Sequence, residues 1–180
     1  MKFKKKMLLQ EFAIEVARAL KQKGIDVILT GGAVVSIYSN NKYVSKNADF
    51  LSVTDHQTIK VTMHELGFTN FGKDFFHKDT EFSVEFPGYD LVIGDEPMKP
   101  EGELRSGSFT LNLLSPTQCV QDRLAAFYHW KDRQSLEQAI MIALEHPVNI
   151  KKIESWSKNE KMLDRYQIFL AAFKAAKKAV

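Results

Sequence analysis

Two short stretches of the sequence carry polar side chains at a spacing that could do chemistry. Asn47 and Asp49 stand two residues apart in the stretch 45–50, and Glu85 follows the same polar and apolar alternation in the stretch 81–86. Side chains alternate between the faces of a strand, so Asn47 and Asp49 share one face and Glu85 lies on the polar face of its own strand. If the two strands are neighbours, Asp49 and Glu85 converge. Oxygen ligands of this kind suit a hard divalent cation, Mg²⁺ or Mn²⁺, that is also bound by substrate phosphates.

A glycine pair, Gly31 and Gly32, stands between a β-branched run and a predicted short helix. Free backbone N–H groups and the positive end of a helix dipole bind anions, so the pair, with Ser36 nearby, indicates a site for a triphosphate. Both features also have a simpler interpretation. A glycine pair after a strand is often only a tight turn, and acidic residues on a strand are often only its solvated face.

Arg123 is a charged residue on the apolar side of a predicted helix. It stands four residues after Cys119 and four before Phe127, which places all three on one line of that helix. The favoured interpretation is a structural salt bridge, because partly buried arginines usually have one. The alternative is that Arg123, with Lys131 and Arg133, faces a cleft between two halves of the chain and contacts phosphates there.

The remaining side chains of the C-terminal half that could bind a base have a simpler role. Aromatic residues at helical spacing are more often part of the core than of a stacking site, and Cys119 has no activating histidine nearby. The aromatic residues concerned are Tyr128, Trp130, Trp156 and Tyr166.

Hydrophobic periodicity divides the N-terminal half into helices, strands and turns that would hold the polar residues. Apolar residues at helical spacing precede Gly24, which is placed to end the first helix. Short alternating runs with turn residues between them predict strands and hairpins from 68 to 113. In order, the predicted elements are a helix at 7–23, a strand at 26–30, a helix at 33–39, a strand at 48–53, a helix at 56–66, and strands at 81–86, 91–93 and 108–113.

The C-terminal half is predicted to be helical. Ser115 and Gln118 form a capping box with Pro116 at the first helical position, and Asp132 can cap the next helix. Two more helical patterns cover 150–156 and 161–177. The sequence therefore predicts an α+β protein with a mixed sheet flanked by helices, followed by a helical C-terminal subregion. We interpret 1–180 as a single domain with subregions 1–114 and 115–180.

The order of these parts resembles a known signature. The run V-I-L-T-G-G-A-V-V-S-I-Y-S, followed by S-K-N-A-D-F and then V-E-F, is similar to the pattern of the DNA-polymerase-β-like nucleotidyltransferase superfamily. It is most similar to the small prokaryotic members of the AbiEii-like or minimal type. The resemblance covers about the first half of the chain, with support from the helix that follows Ser115.

The resemblance implies a role for each matched position. Gly31, Gly32 and Ser36 would hold phosphate, and Asp49 and Glu85 would bind metal and carry catalysis. Basic residues of the helical half, the positions of Arg123, Lys131 and Arg133, would also meet the nucleotide. The implied reaction transfers a nucleoside monophosphate from an NTP to an acceptor hydroxyl with Mg²⁺.

Asn47 is the departure from this signature. The resemblance places an acidic metal ligand at position 47, and an amide supplies a neutral oxygen there. The cluster then lacks one of three negative charges, which disfavours a second metal ion and impairs catalysis. One Mg²⁺ carried by a nucleotide can still bind, since the phosphates supply ligands of their own.

Composition limits the partners. The net charge is only +3 and much of the basic excess lies near the two ends, which is not a strong nucleic-acid signature. No apolar run is long enough to span a membrane, and the single cysteine fits a cytoplasmic protein. Three hypotheses stay open: an active transferase with an unknown protein, small-molecule or RNA acceptor, an inactive nucleotide-binding regulator of the toxin-antitoxin type, and a protein-interaction module.

Overall fold

The structure is a computed structural model that describes Phe3 and residues 6–178. Within this part of the chain, seven strands form one mixed sheet in the order β3-β4-β5-β2-β1-β9-β8, and β6 and β7 form a separate hairpin. The strands are β1 Ile28–Thr30, β2 Asn47–Leu51, β3 Thr69–Phe71, β4 Asp74–Phe76, β5 Ser83–Gly88, β6 Val92–Ile93, β7 Glu96–Pro97, β8 Gly102–Ser106 and β9 Phe109–Leu113. The helices are α1 Leu9–Gln22, α2 Gly31–Tyr38, α3 His56–Glu65, α4 Pro116–Trp130, α5 Arg133–Glu145, α6 Ile150–Asn159 and α7 Leu163–Lys178. The fold class is α+β, as the sequence predicts.

The centre of the sheet holds the strands that carry the polar residues. β2 pairs in parallel with β5, with Asp49 directly beside Glu85, and it pairs antiparallel with β1, with Thr30 beside Asp49. The strands of Asp49 and Glu85 are therefore neighbours, which is the condition on which the convergence of the two carboxylates depends. Ala48 and Phe50 alternate with the polar residues of β2 and are fully buried. Alternation thus fixes both the core side and the polar side of this strand.

Helix α1 is held against the sheet by one apolar side. Its apolar residues recur every three or four positions, so that one side of the helix, including Phe12, Val16 and Leu20, is buried against the sheet and α2. Burial of each such side chain contributes about 1.5–3 kcal/mol. The helix is slightly shorter than predicted, and Gly24 follows its end with a φ of +82°.

Helix α2 begins earlier than the sequence predicts. It starts at Gly31, not at Ala33, so the glycine pair forms the first turn of the helix and not a separate turn before it. Gly31 has a φ of +66°, a backbone conformation that glycine adopts without steric cost. This conformation bends the chain from β1 directly into α2.

The helical half is fixed by the caps predicted from the sequence. The Ser115 Oγ accepts a hydrogen bond from the Gln118 N–H at 3.3 Å, and the Gln118 Oε1 accepts one from the Ser115 N–H at 3.0 Å. Asp132 caps α5. Helix α6 extends three residues beyond the predicted end, and α7 begins at Leu163, two residues later than predicted.

The two halves are packed on one another. Helices α4 and α5 contact α2, and one continuous set of buried side chains runs from α1 through the sheet to α7. Among the helices of the described chain, not one combines the length and the apolar character that a membrane span needs.

Candidate functional site

A cleft of about 390 Å³ lies where β1, β2 and β5 meet α4. Its volume is in the range of small-molecule sites. Side chains of four acidic residues and one basic residue line it, so its formal charge is negative. These residues are Asp49, Glu85, Asp90, Asp122 and Arg123.

Asp49 is a largely buried carboxylate of the cleft. Its Oδ2 lies so close to Gly31 that a Cβ atom on that glycine would be 2.2 Å away. Burial, with a further contribution from the neighbouring Glu85, raises the pKa of Asp49 to about 6, although Arg123 acts in the opposite direction. The negative charge of Asp49 is therefore incompletely compensated by the side chains around it.

Asn47 is bonded at both ends of its amide. Its Nδ2 donates a hydrogen bond to the Asp49 Oδ1 at 2.7 Å, and its Oδ1 accepts one from the Ser45 Oγ at 2.9 Å. The amide therefore presents a hydrogen-bond donor to the Asp49 carboxylate. A metal ligand at position 47 would instead present an oxygen beside that carboxylate. Asn47 and Asp49 lie together, as predicted, but the Asn47 oxygen is directed to Ser45.

Glu85 has a partner that the sequence analysis did not identify. The Lys73 Nζ lies 2.8 Å from the Glu85 Oε1, and the Glu85 side chain is only 14% exposed. Lys73 stands in the turn between β3 and β4, and Asp74 at the start of β4 pairs with Glu85 in the sheet. The sequence signal was a Gly-Lys-Asp turn between two short runs, but its position beside β5 depends on long-range strand order.

The carboxylates of the cleft limit the number of divalent cations that the protein can hold. Among the described residues, no three His, Cys, Asp or Glu side chains are grouped closely enough to hold a metal ion. Asp49 and Glu85 are adjacent in the sheet and face the cleft, so they fit one cation whose other ligands come from a bound ligand or water. They do not fit two metal ions held by the protein.

Arg123 has both features considered in the sequence analysis. Its Nε and Nη2 donate hydrogen bonds to the Asp122 Oδ2 at 3.0 and 2.5 Å, which is a structural ion pair. The same side chain lines the cleft, and its charge lowers the pKa of Asp49. Asp122, which sequence reasoning missed, thus orients the basic residue of the cleft.

Several of the predicted nucleotide-binding residues lie elsewhere. Ser36 is buried, where its Oγ accepts a hydrogen bond from the Ser45 N–H at 2.8 Å and donates one to the Gly32 carbonyl at 3.2 Å. Ser36 therefore orders the segment before β2. Lys131 follows the end of α4 and Arg133 is the first residue of α5; both are exposed, and neither lines the cleft.

The side chains considered for the core divide into two groups. Tyr128, Trp156 and Tyr166 are buried, as is Cys119, whose thiol pKa is raised by burial. Trp130 is exposed, so the prediction of a core position is wrong for this residue.

Comparison with known proteins identifies the fold. No protein-family model matches the sequence, and no match was found among curated proteins. The structure is similar to the crystal structure of an antigenic nucleotidyltransferase-like protein from Paracoccidioides brasiliensis, with a TM-score of 0.56. The two chains are 15% identical, and the similarity covers 77% of each. The chain described here therefore has a nucleotidyltransferase-like fold.

Proposed function

We propose that the cleft binds a nucleoside triphosphate together with one Mg²⁺ and that the chain transfers the nucleoside monophosphate to an acceptor hydroxyl. The observation that carries this proposal is the direct pairing of Asp49 with Glu85 on adjacent strands, facing a cleft of suitable volume. The fold supports it only as an analogy.

The charges of the cleft support a nucleotide that arrives with a cation. Four carboxylates against one guanidinium would repel a free triphosphate. Burial, and after it the negative charge of Glu85, raises the pKa of Asp49. When bound, Mg²⁺ supplies positive charge that stabilises the phosphate oxygens during transfer.

Three residues of the cleft have separate roles in the proposed reaction. Asp49 and Glu85 hold the cation, and Arg123 contacts a phosphate of the nucleotide. The acceptor oxygen forms a bond to the α-phosphorus, the bond to the leaving pyrophosphate breaks, and the acceptor proton passes to a Glu85 carboxylate oxygen. Glu85 must first separate from Lys73, which is a low-cost step because Lys73 is exposed.

The glycine pair at the start of α2 and the polar residues Asn47 and Asp49 of β2 also support a relation to the small prokaryotic AbiEii-like or minimal nucleotidyltransferases. A single cysteine and an NTP substrate favour the cytoplasm as the place of action.

Calorimetric titration of the purified chain with NTPs, with and without Mg²⁺, tests the binding step. Asp49→Asn and Glu85→Gln keep the side-chain shape and remove a charge, so we expect each to abolish the Mg²⁺-dependent part of the affinity. Glu81→Gln is the matched control, because Glu81 is an exposed carboxylate just before β5 that pairs with Lys46 outside the cleft. Absence of NTP binding by the parent chain, or unchanged binding by Asp49→Asn, contradicts the proposal.

A second candidate function is a nucleotide-binding regulator without turnover, for example a partner in a toxin-antitoxin pair. The hydrogen bond from the Asn47 amide to Asp49 favours it, because it replaces a metal ligand with a neutral donor. Transfer of label from an α-labelled NTP in a cell extract distinguishes the two. A transferase labels an acceptor and gains activity on Asn47→Asp, whereas a regulator binds NTP and labels nothing in either form. A protein-interaction module would bind no NTP.

A further inference from the structure

The turn between α4 and α5 carries an exposed tryptophan beside two cations. Trp130, the last residue of α4, is 78% exposed, and Lys131 and Arg133 after it are exposed as well. A tryptophan left in water forgoes the burial of a large apolar surface. Its exposure next to positive charge points to a ligand that offers both an apolar face and negative charge.

A second turn lies against the first. Glu160, which ends α6, has a side chain only 2% exposed, and its Oε2 lies 3.3 Å from the Nε2 of His129, the neighbour of Trp130. Lys158 and Lys161 flank Glu160 and are exposed. We name the exposed side chains on the two sides of this His129–Glu160 contact the Trp130 surface; they are Trp130, Lys131, Arg133, Lys158 and Lys161.

The charges available on the Trp130 surface are mainly positive. Glu160 is buried, and its Oε1 accepts a hydrogen bond from the Asp95 N–H at 2.9 Å. Asp132 accepts hydrogen bonds from the Gln134 N–H at 2.9 Å and the Ser135 Oγ at 2.7 Å. Asp164 is the remaining carboxylate of these turns and lies in the first turn of α7. Within the two turns, four cations thus stand against three carboxylates, two of which are bonded internally. The neighbouring β6–β7 hairpin adds two exposed carboxylates, Asp95 and Glu96, next to Glu160.

The Trp130 surface and the cleft are joined through α4. Trp130 follows Arg123 by seven residues, which is two turns of α4, so the two residues lie on the same side of the helix about 10 Å apart along it, with the buried Phe127 between them. The β6–β7 hairpin makes a second connection, since Val92 lines the cleft and Asp95 is bonded to Glu160. This separation along α4 is short enough for an extended ligand to reach from Trp130 to the cleft.

We propose that the Trp130 surface binds single-stranded nucleic acid, with one base stacked on Trp130 and backbone phosphates beside the surrounding cations. An aromatic platform among basic residues is the combination that single strands need, because their base faces are free to stack. Within the proposed function, a strand bound here would be the acceptor whose terminal hydroxyl enters the cleft. That last step rests on the proposed function, whereas strand binding does not.

Fluorescence anisotropy of a labelled RNA of about 12 nucleotides, titrated with the full chain without NTP or Mg²⁺, tests the proposal. We expect Trp130→Ala to weaken binding about fivefold or more. Phe71→Ala is the matched control, because Phe71 is 82% exposed on the edge strand β3, away from this surface, and its loss should leave binding unchanged.

The contribution of charge is tested by the salt dependence of the same binding. Replacing Lys131 and Arg133 together with glutamine removes two cations, which should lower the slope of log K against log salt by about 1.4. No RNA binding at about 50 mM salt, or equal binding by Trp130→Ala and Phe71→Ala, overturns the proposal. An acidic peptide that binds more tightly than RNA through Trp130 overturns it in favour of a protein ligand.

The two proposals fail separately. If RNA binds through Trp130 but the calorimetric titration shows no NTP binding, only the transferase function is contradicted. If NTP binds and RNA does not, only the nucleic-acid surface is contradicted.

Discussion

The two carboxylates at the centre of the cleft are neighbours in the sheet but have different surroundings. Asp49 is largely buried between Gly31 and the amide of Asn47, whereas Glu85 is paired with Lys73, whose side chain is 74% exposed. The partners of Asp49 cannot move without disturbing β2 and α2. The partner of Glu85 can leave into water. One side of the cleft is thus built into the core, and the other is adjustable from the surface.

On the Asp49 side of the cleft, Gly31→Ala should have the largest effect on stability. The new Cβ would stand 2.2 Å from the Asp49 Oδ2, and the residue would keep a left-handed φ of +66°. We expect a loss of about 2–5 kcal/mol in the free energy of unfolding, from backbone strain and overpacking together. Urea unfolding measures it.

Gly72→Ala separates these two causes. Gly72 has a φ of +60° in the turn beside Lys73, but open space surrounds its Cβ position. Gly72→Ala should therefore lower the free energy of unfolding only by the cost of the left-handed backbone, about 1–2 kcal/mol. If Gly31→Ala costs no more than Gly72→Ala, the Asp49 carboxylate does not lie against α2. Adding Asp49→Ala to Gly31→Ala removes the clashing carboxylate and should restore the part of the free energy of unfolding that the clash had cost.

The pH dependence of stability should also distinguish the buried side. The folded chain keeps the Asp49 proton up to about pH 6, while the unfolded chain loses it near pH 3.8, so stability falls as pH rises between these values. The loss is at most about 3 kcal/mol, because one pKa unit corresponds to about 1.36 kcal/mol. Asp49→Asn should remove this fall, which urea unfolding at a series of pH values would reveal. Equal pH profiles for the two proteins would contradict the raised pKa.

The adjustable side should respond least. Lys73→Met removes the ammonium beside Glu85, and since Lys73 also lowers the pKa of Asp49, that pKa should rise further. Carboxyl titration followed by NMR measures the shift. Stability should change little, as for Lys46→Met, which removes the exposed pair with Glu81. A large loss of stability specific to Lys73→Met would show that the Glu85 side is also fixed.

Most elements of the fold could be predicted from the sequence because local patterns determine them. The capping box at Ser115 and the alternation around Asp49 each specify a boundary or a face without reference to distant residues. The start of α2 could not be predicted in this way. The close approach of Gly31 to Asp49 leaves no room for a Cβ at the start of the helix, and that contact joins α2 to β2, which are separated in the sequence.

The contacts of the site are less predictable for the same reason. The pairing of Lys73 with Glu85 requires the strand order β4-β5-β2, which local periodicity does not specify. Trp130 is a different case. It lies two residues after the buried Tyr128, about 200° around the helix, so the spacing itself placed the two rings on opposite sides.

The buried carboxylate of Glu160 has a consequence for anyone who shortens or recombines this chain. It joins the hairpin that forms one wall of the cleft to the end of α6, and a side chain on Gly94 would stand 2.2 Å from it. A fragment that stops before α4 would lose this anchor together with Asp122 and Arg123. We therefore expect that replacing only the sheet, or only the helices, with those of a relative would disrupt the cleft, since both parts contribute residues that form it.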